Sequence, residues 1–542
     1  MTSQPLATTI AALLHQHKDV IVQAPTGSGK TIAYLVPICQ HLVEIAPTWP
    51  AQNVGAIVIV PNRELAHQVH NVAKHLTTVC NLTLACFTGG VPLQKQLRRF
   101  NEHGGNVIIG TPGRLDELFS MTTSAPKWSK LLRSVEMLIV DETDRLADMG
   151  FQTQLANILN KLPKQRRTGL FSATQCQSVE ELVRFGMRDS ERITISDHTQ
   201  ASTSSVTPST LTNYYHEVEA DSKFVTLLGF LKAHKQSKLL VFCSSCACAD
   251  YLHSLIGLVW PKHPTLLVLH SKKKAKREKI FNRFRSTASC VLLCTDVMAR
   301  GIDVTDIDWV VQVDPPKKSS WFVHRSGRAA RGGQTGSSLL LLLPNELGYV
   351  DYVRQHEHAT ICVYDRPLHA AMPAADMRHK IIHLAKHDRS LLLKGTRAFV
   401  SYIQSYAKHD CHVVCALKDL DVVGVAHDYG LIRLPKMPEL CNRDLTTFDR
   451  IELNTADIPF KDAAKEGKRL ELVVERRREA EQKRKARSDR LARQAAGAAK
   501  THKRKRAPKS SDWDDIADDY RLMKKLKKGK IDKQEFDEKF LS

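Results

Sequence analysis

The 542-residue chain has no stretch approaching the about 18 consecutive apolar residues of a membrane-crossing helix, so it is not expected to span a bilayer by helices. Its N-terminus, MTSQPLATTI, lacks a basic region followed by an apolar run, and secretion is not expected. The 13 cysteines are an odd number without small-scaffold spacing, and several lie inside apolar runs such as VFCSSCACAD. They read as reduced, intracellular thiols. Cys243, Cys246 and Cys248 lack a fourth ligand at structural-zinc spacing, which argues against a metal there. Beyond a weak sharing of apolar and charged pattern between two halves, the sequence contains no internal repeat.

Apolar residues make up 42% of the chain, enough for real cores, which excludes a wholly disordered protein. At roughly 100–200 residues per domain, the length predicts three or four units. Lys and Arg number 79 against 57 Asp and Glu, a net charge of +22. Residues 461–510 hold 19 of those cations and 7 of the acids, so over half the excess sits in a tenth of the chain. Alone, such a run reads equally as a solvated helix, a nuclear address or a polyanion-binding arm. THKRKRAPK (501–509) reads as a nuclear address or an RNA arm, and the two are compatible.

From about residue 17 to 345, short apolar runs alternate with longer amphipathic stretches. DVIVQ, GAIVIV, NVIIG, VEMLIV and GLFSA are followed by KLLVFCSS, TLLVLH, SCVLLCT, DWVVQVD and SSLLLLL. This pattern predicts an α/β protein with buried parallel strands. The Ser/Thr/Pro-rich stretch 196–213 divides it into lobes at 1–195 and 214–345. Residues 346–460 carry helical patterns and predict a smaller, mostly helical unit. Residues 461–542 form a charged tail, free of proline to residue 506 and expected to be an exposed, partly disordered helix.

Residues 24–31 read APTGSGKT, between the strand DVIVQ and the helical IAYLVPICQHLVE. Small residues here let backbone N–H groups converge on phosphate at a helix N-terminus. Ala24, Pro25, Thr26, Gly27, Ser28 and Gly29 form the loop; Lys30 neutralises the β/γ phosphates, and the Thr31 hydroxyl ligates Mg²⁺. VEMLIVDETD delivers Asp141 and Glu142 at the carboxyl end of a strand, where open α/β sheets place their catalytic groups. Asp141 suits the Mg²⁺ water shell and Glu142 the attacking water. FVHRSGRAARGG packs His324, Arg325, Arg328 and Arg331 into eight positions. Read as a helix, 324, 328 and 331 share a face. A basic surface is the plain reading; beside a phosphate loop, arginine fingers are the sharper one. Trp321 reads as an aromatic covering a helix start, with base stacking as the competing role.

In order, APTGSGKT, PNRELA (61–66), TGG (88–90), TPGRL (111–115), DETD (141–144), SAT (172–174), VFCSS (241–245), TDVMARGID (295–303) and HRSGRAAR (324–331) resemble the DEAD-box helicases of superfamily 2. The resemblance implies two tandem RecA-like lobes closing over ATP and single-stranded RNA. It implies that Asp303 contacts ribose, that Arg328 and Arg331 are fingers, and that Ser172, Thr174 and His324 couple hydrolysis to lobe movement. Arg63, Gly90, Thr111, Arg114 and Thr295 would line the RNA backbone, giving contact that ignores sequence. KGTRAFVSYIQSYAKHDC, GLIRLPKMPEL, IPFKD and DDYRLMKKLKKGKIDKQEF are similar to the tail of Spb-four-type helicases of large-ribosomal-subunit assembly. That likeness implies a monomeric nucleolar protein acting on pre-ribosomal RNA within pre-ribosomal particles.

The chain departs from the family in four places. Thr143 stands where Ala is usual, Asn62 replaces a Thr, and Lys274 replaces the Gln of a segment that keeps Arg277. The adenine-recognising aromatic and Gln lie upstream of the loop in the family; here only Gln4 is at hand, at a different spacing. The intact Lys30, Asp141, Glu142, Arg328 and Arg331 favour a helicase over a low-turnover ATP-gated RNA clamp or assembly scaffold. A DNA translocase would keep the loop and acids without this motif set.

Overall fold

The computed structural model describes residues 18–24, 28–46, 48–121, 127–172, 187, 190–194, 210–269, 274–296, 306–330, 334–366, 368, 372–441, 443–475, 478 and 481–482. In the first lobe lie β1 (Val20–Gln23), β2 (Ala56–Ile59), β3 (Leu84–Phe87), β4 (Val107–Gly110), β5 (Met137–Asp141), β6 (Arg167–Ser172) and β7 (Glu191–Thr194). The second lobe holds β8 (Leu211–Glu217), β9 (Lys238–Phe242), β10 (Thr265–Leu269), β11 (Cys290–Cys294), β12 (Trp309–Gln312), β13 (Gly336–Leu342) and β14 (Cys362–Val363). Each set forms a seven-stranded sheet whose neighbouring strands run parallel.

The first sheet runs β3-β4-β2-β5-β6-β1-β7 and the second β10-β11-β9-β12-β13-β8-β14. Counted from each lobe's own first strand, the two orders are identical. This matches the two tandem lobes that the resemblance implied, while the sequence itself shares only a weak pattern between them, because sheet order is set by burial pattern and crossover length rather than by residue identity. Central strands such as β2, β4, β5 and β11 are buried throughout and read as continuous apolar runs. The four strands that the pattern did not reveal are β3, β7, β8 and β14. Their residues are largely half-buried or exposed, and three of them form sheet edges.

Two boundaries differ from the expectation. β8 begins at Leu211, inside the stretch expected as linker, and β14 comes from the region expected to be a separate helical unit. That region does not stand alone. The helix Arg389–Tyr406 buries Ala398, Phe399, Tyr402 and Ile403 in one continuous apolar cluster with Val241, Leu252, Leu255 and Leu339 of the second lobe. Its cap is Asp388, whose side chain accepts from Ser390 N. Sheet and extension therefore share a core. Residues 463–475 are helical and mostly exposed.

Candidate active site between the lobes

The phosphate loop begins where β1 ends. Ala24 is buried, and its N–H donates to Ser172 O at 3.1 Å, linking the loop to the SAT segment on the neighbouring strand. Gly29, with φ +83°, caps the helix Lys30–Ile45 without a side-chain bond, so the first N–H groups of that helix are left for an anion. Lys30 Nζ donates to Ala24 O at 2.7 Å. Burial lowers the Lys30 pKa, while the Asp141, Glu142 and Asp144 carboxylates oppose that shift. Among the described residues the buried Ser28 hydroxyl has no hydrogen-bond partner. Pro25, Thr26 and Gly27 lie outside the described residues.

Asp141 ends β5, and burial pushes its carboxyl up to about 6 against the pull of Lys30. Its Oδ1 accepts from Glu142 N at 2.9 Å and its Oδ2 from the Tyr34 hydroxyl at 3.1 Å. Glu142 takes a left-handed conformation, φ +50°, at the start of the helix Thr143–Asp148, the sharp turn that aims its side chain; Arg145 pairs with Glu142 Oε2 at 3.3 Å. Thr143 is fully buried and donates to Phe171 O at 3.4 Å, so the unusual hydroxyl is accommodated between the acids and the SAT strand. Thr31, Asp141 and Glu142 together offer hard oxygen donors around a buried anion that gains from a cation, which fits Mg²⁺.

The second lobe completes the cleft. His324 Nε2 lies 2.8 Å from Asp144 Oδ2, with both side chains almost fully buried. Arg328 is buried and close enough to Lys30 to lower its pKa. A second ion pair, Arg277 to Glu64 at 2.9 Å, joins the lobes at the RELA segment. The helical reading of residues 324–331 is corrected here. The helix Ser319–Ser326 stops before Gly327, Ala330 has φ +56°, and Arg328 sits in the following turn with its Nε donating to His324 O at 3.1 Å. Arg325 does not reach the cleft: it grips Asp296 through two bonds of 2.6 and 2.7 Å within its own lobe. Arg331, Asp303 and Thr174 lie outside the described residues.

On the first lobe, Arg63 packs over Gly90, whose φ of +81° is one that side-chain-bearing residues rarely adopt. Asn62 caps the helix Arg63–Val79, its Oδ1 accepting from Leu65 N at 2.7 Å, as a Thr hydroxyl can. Arg114 donates to Val91 O at 3.0 Å, and Thr111 heads the helix Pro112–Phe119 without bonding its own cap. Thr295, in the second lobe, has a buried hydroxyl without a partner among the described residues. Sequence reasoning assigned no role to Tyr34, Asp144 or Glu64. The first is a helical i+4 neighbour of Lys30 that reads as core; the other two sit inside recognised motifs.

Fold and cleft define a two-lobed machine driven by nucleotide phosphate. Residues 4–182 match the DEAD/DEAH box helicase family, 222–333 the helicase conserved C-terminal domain, and 388–437 the ATP-dependent rRNA helicase SPB4-like C-terminal extension. The chain is 42% identical to ATP-dependent RNA helicase DDX55 of Homo sapiens over 555 aligned residues, covering 99% of this chain and 91% of that protein. With DDX55 of Gallus gallus the identity is 44% over 467 residues, covering 84% and 77%. Mss116p bound to single-stranded RNA and AMP-PNP superposes with a TM-score of 0.66 at 24% identity, covering 76% of this chain and 82% of that one. S. cerevisiae Dbp5 bound to RNA and ADP BeF3 gives 0.55 at 23% identity, covering 67% and 90%; these two likenesses concern the fold. The chain belongs to the DEAD-box family of ATP-dependent RNA helicases, in the group carrying the SPB4-like extension.

Proposed function

We propose that the chain is an RNA-stimulated ATP hydrolase that locally unwinds or remodels pre-ribosomal RNA during large-subunit assembly. Lys30 and the loop 24–31 would bind the phosphates, and Thr31 and Asp141 would hold Mg²⁺, which would supply positive charge to the reacting phosphate. Glu142 orients and deprotonates the attacking water. Arg328, together with Arg331, donates to the transferring phosphoryl group. Asp303 meets the ribose, and Ser172, Thr174 and His324 pass the state of the site to the lobes. Arg63, Gly90, Thr111, Arg114 and Thr295 track the RNA backbone.

The single observation that carries this reading is His324 Nε2 set 2.8 Å from Asp144 Oδ2: groups from opposite lobes meet only in the closed form. A closed form that assembles the site makes turnover depend on whatever favours closure, and this weighs against the low-turnover clamp. The match to the rRNA-helicase extension supports ribosomal RNA as the substrate; nucleolar pre-ribosomal particles as the setting and a monomer as the working unit are part of the same proposal. ATP hydrolysis measured with no nucleic acid, with single-stranded RNA and with single-stranded DNA tests the enzyme. Strong stimulation by RNA alone is expected; equal stimulation by DNA would overturn the RNA assignment, and none would favour the clamp. In vivo crosslinking should recover pre-ribosomal RNA.

A further inference from the structure

Tyr34 is fully buried on the helix that starts at Lys30, three residues after Thr31. Its ring meets Phe171 edge to face at 5.0 Å, so packing fixes where the hydroxyl points. That hydroxyl donates to Asp141 Oδ2 at 3.1 Å. A phenol has one proton to give, and here it is committed to the carboxylate. Asp141 Oδ1 is already held by Glu142 N at 2.9 Å, so both carboxylate oxygens are tethered and the group cannot rotate.

We propose that Tyr34 is a positioning residue for the divalent cation, its hydroxyl fixing the Asp141 carboxylate that holds it. The proposal rests on the Mg–ATP reading above. Outer partners of this kind orient the ligating groups before the cation arrives. Phenylalanine would keep the ring contact with Phe171 and lose the tether to Asp141.

The test is the full chain with Tyr34→Phe, binding a fluorescent ADP analogue in saturating Mg²⁺ and in EDTA. The gain in affinity that Mg²⁺ confers should fall about tenfold, because losing an outer partner typically costs 10–100-fold in metal affinity. Binding in EDTA should stay within about twofold of the unaltered chain, since the phosphate loop keeps its packing. An unchanged Mg²⁺ gain overturns the proposal. Equal weakening in both conditions also overturns it, because the hydroxyl would then support the loop and not the cation. If the unaltered chain shows no Mg²⁺ gain, the cation reading itself fails, and the proposal with it.

Discussion

In both sheets the strand second from one edge feeds a helix that begins with lysine: Lys30 after β1, and Lys223 after β8. Each lysine faces an aspartate at or just past the end of the corresponding central strand, Asp141 after β5 and Asp314 after β12. The surroundings then diverge. Before Lys30 stands a glycine- and serine-containing loop with Gly29 in the left-handed region. The five residues before Lys223 read VEADS, with two acids and no glycine, and cannot cradle an anion.

Burial lowers the Lys30 pKa. Burial works against Lys223 as well, yet Asp314 at 3.0 Å and Glu346 raise its pKa overall. Over that second pair the extension lays Tyr402, Asp428 and Tyr429, leaving a cavity of about 30 Å³. A water occupies about that much liquid volume, and ligand pockets are usually at least tenfold larger. One scaffold thus sets a buried lysine near an aspartate twice, once with Lys30 Nζ turned to Ala24 O behind the glycine-containing loop and once as a closed 3.0 Å ion pair. What separates them is the loop in front and the helix on top.

The largest effect should come from breaking the open site. Lys30→Ala, Glu142→Gln and Arg328→Lys should each lower RNA-stimulated hydrolysis by on the order of 10³–10⁵, for three different reasons. The first removes phosphate neutralisation and should weaken ATP binding. The second keeps ATP bound without the water-orienting base, so it should trap a closed RNA complex. The third keeps a positive charge but loses the planar donor fork. Lys rescue at position 328, measured as hydrolysis at saturating RNA, would reduce Arg328 to surface charge.

The closed strut should respond differently to the same substitution. Lys223→Ala leaves Asp314 buried without its partner, which costs about 3–5 kcal/mol of unfolding free energy. The surviving folded fraction should hydrolyse ATP near the normal rate. Denaturant unfolding followed beside ATPase rate separates the two lysines; a hydrolysis defect as deep as that of Lys30→Ala would mean that the second lobe's pair takes part in the chemistry.

Of this comparison, the open half was legible in the sequence and the closed half was not. Gly29, Lys30, Asp141 and Glu142 lie in short contiguous strings whose spacing has one chemical meaning. Lys223 and Asp314 are 91 positions apart, flanked by no motif, and only the sheet brings them together. The central strands were readable as apolar runs, while β3, β7, β8 and β14, with partly exposed residues, were not. The helical signal of residues 389–406 was clear, but nothing in it disclosed that Phe399 and Tyr402 complete the second lobe's core. The extent of the helix before Arg328 was overread because Gly327, which ends it, also occurs inside helices.

Asp428 supplies a third, pH-dependent way to probe the strut. Burial pushes its carboxyl up to about 8, against the pull of Lys223 and the N–H of Phe224, 2.8 Å from its Oδ1. A carboxyl whose folded pKa lies above its unfolded value holds its proton better when folded. Its contribution is therefore favourable at low pH and is lost as pH rises from about 4 to about 8, by up to about 1.4 kcal/mol per unit. Asp428→Asn keeps an oxygen for Phe224 N and has nothing to ionise. Relative to the unaltered chain it should grow more stable from pH 5 to pH 8 in thermal unfolding. A constant difference across that range would show that Asp428 is ionised throughout and paired with Lys223.

The smallest effect belongs to the charged tail, and it should touch neither lysine. IPFKD roots the tail: Ile458 and Phe460 are buried, Arg389 N donates to Pro459 O at 2.9 Å, and Phe460 N donates to Glu466 at 2.8 Å. The helix that follows at 463–475 is mostly exposed, with Arg469 paired to Glu466 and Lys465 to Asp462. Removing residues 461–542 deletes the local excess of 19 Lys and Arg over 7 acids within 461–510. For every phosphate the tail no longer neutralises, the slope of log affinity against log salt should fall by about 0.7 for single-stranded RNA, and a few such phosphates are worth about tenfold at low salt. Hydrolysis at saturating RNA should not change, because Lys30, Asp141 and Arg328 lie outside the deletion, and unfolding should still report an intact Lys223–Asp314 strut. RNA affinity measured across a salt series, for the full and the shortened chain, checks this directly. A parallel pair of lines, equal in slope and offset only in height, would mean that the tail orders the body and does not touch phosphate; coincident lines would reassign it to localisation or protein contact.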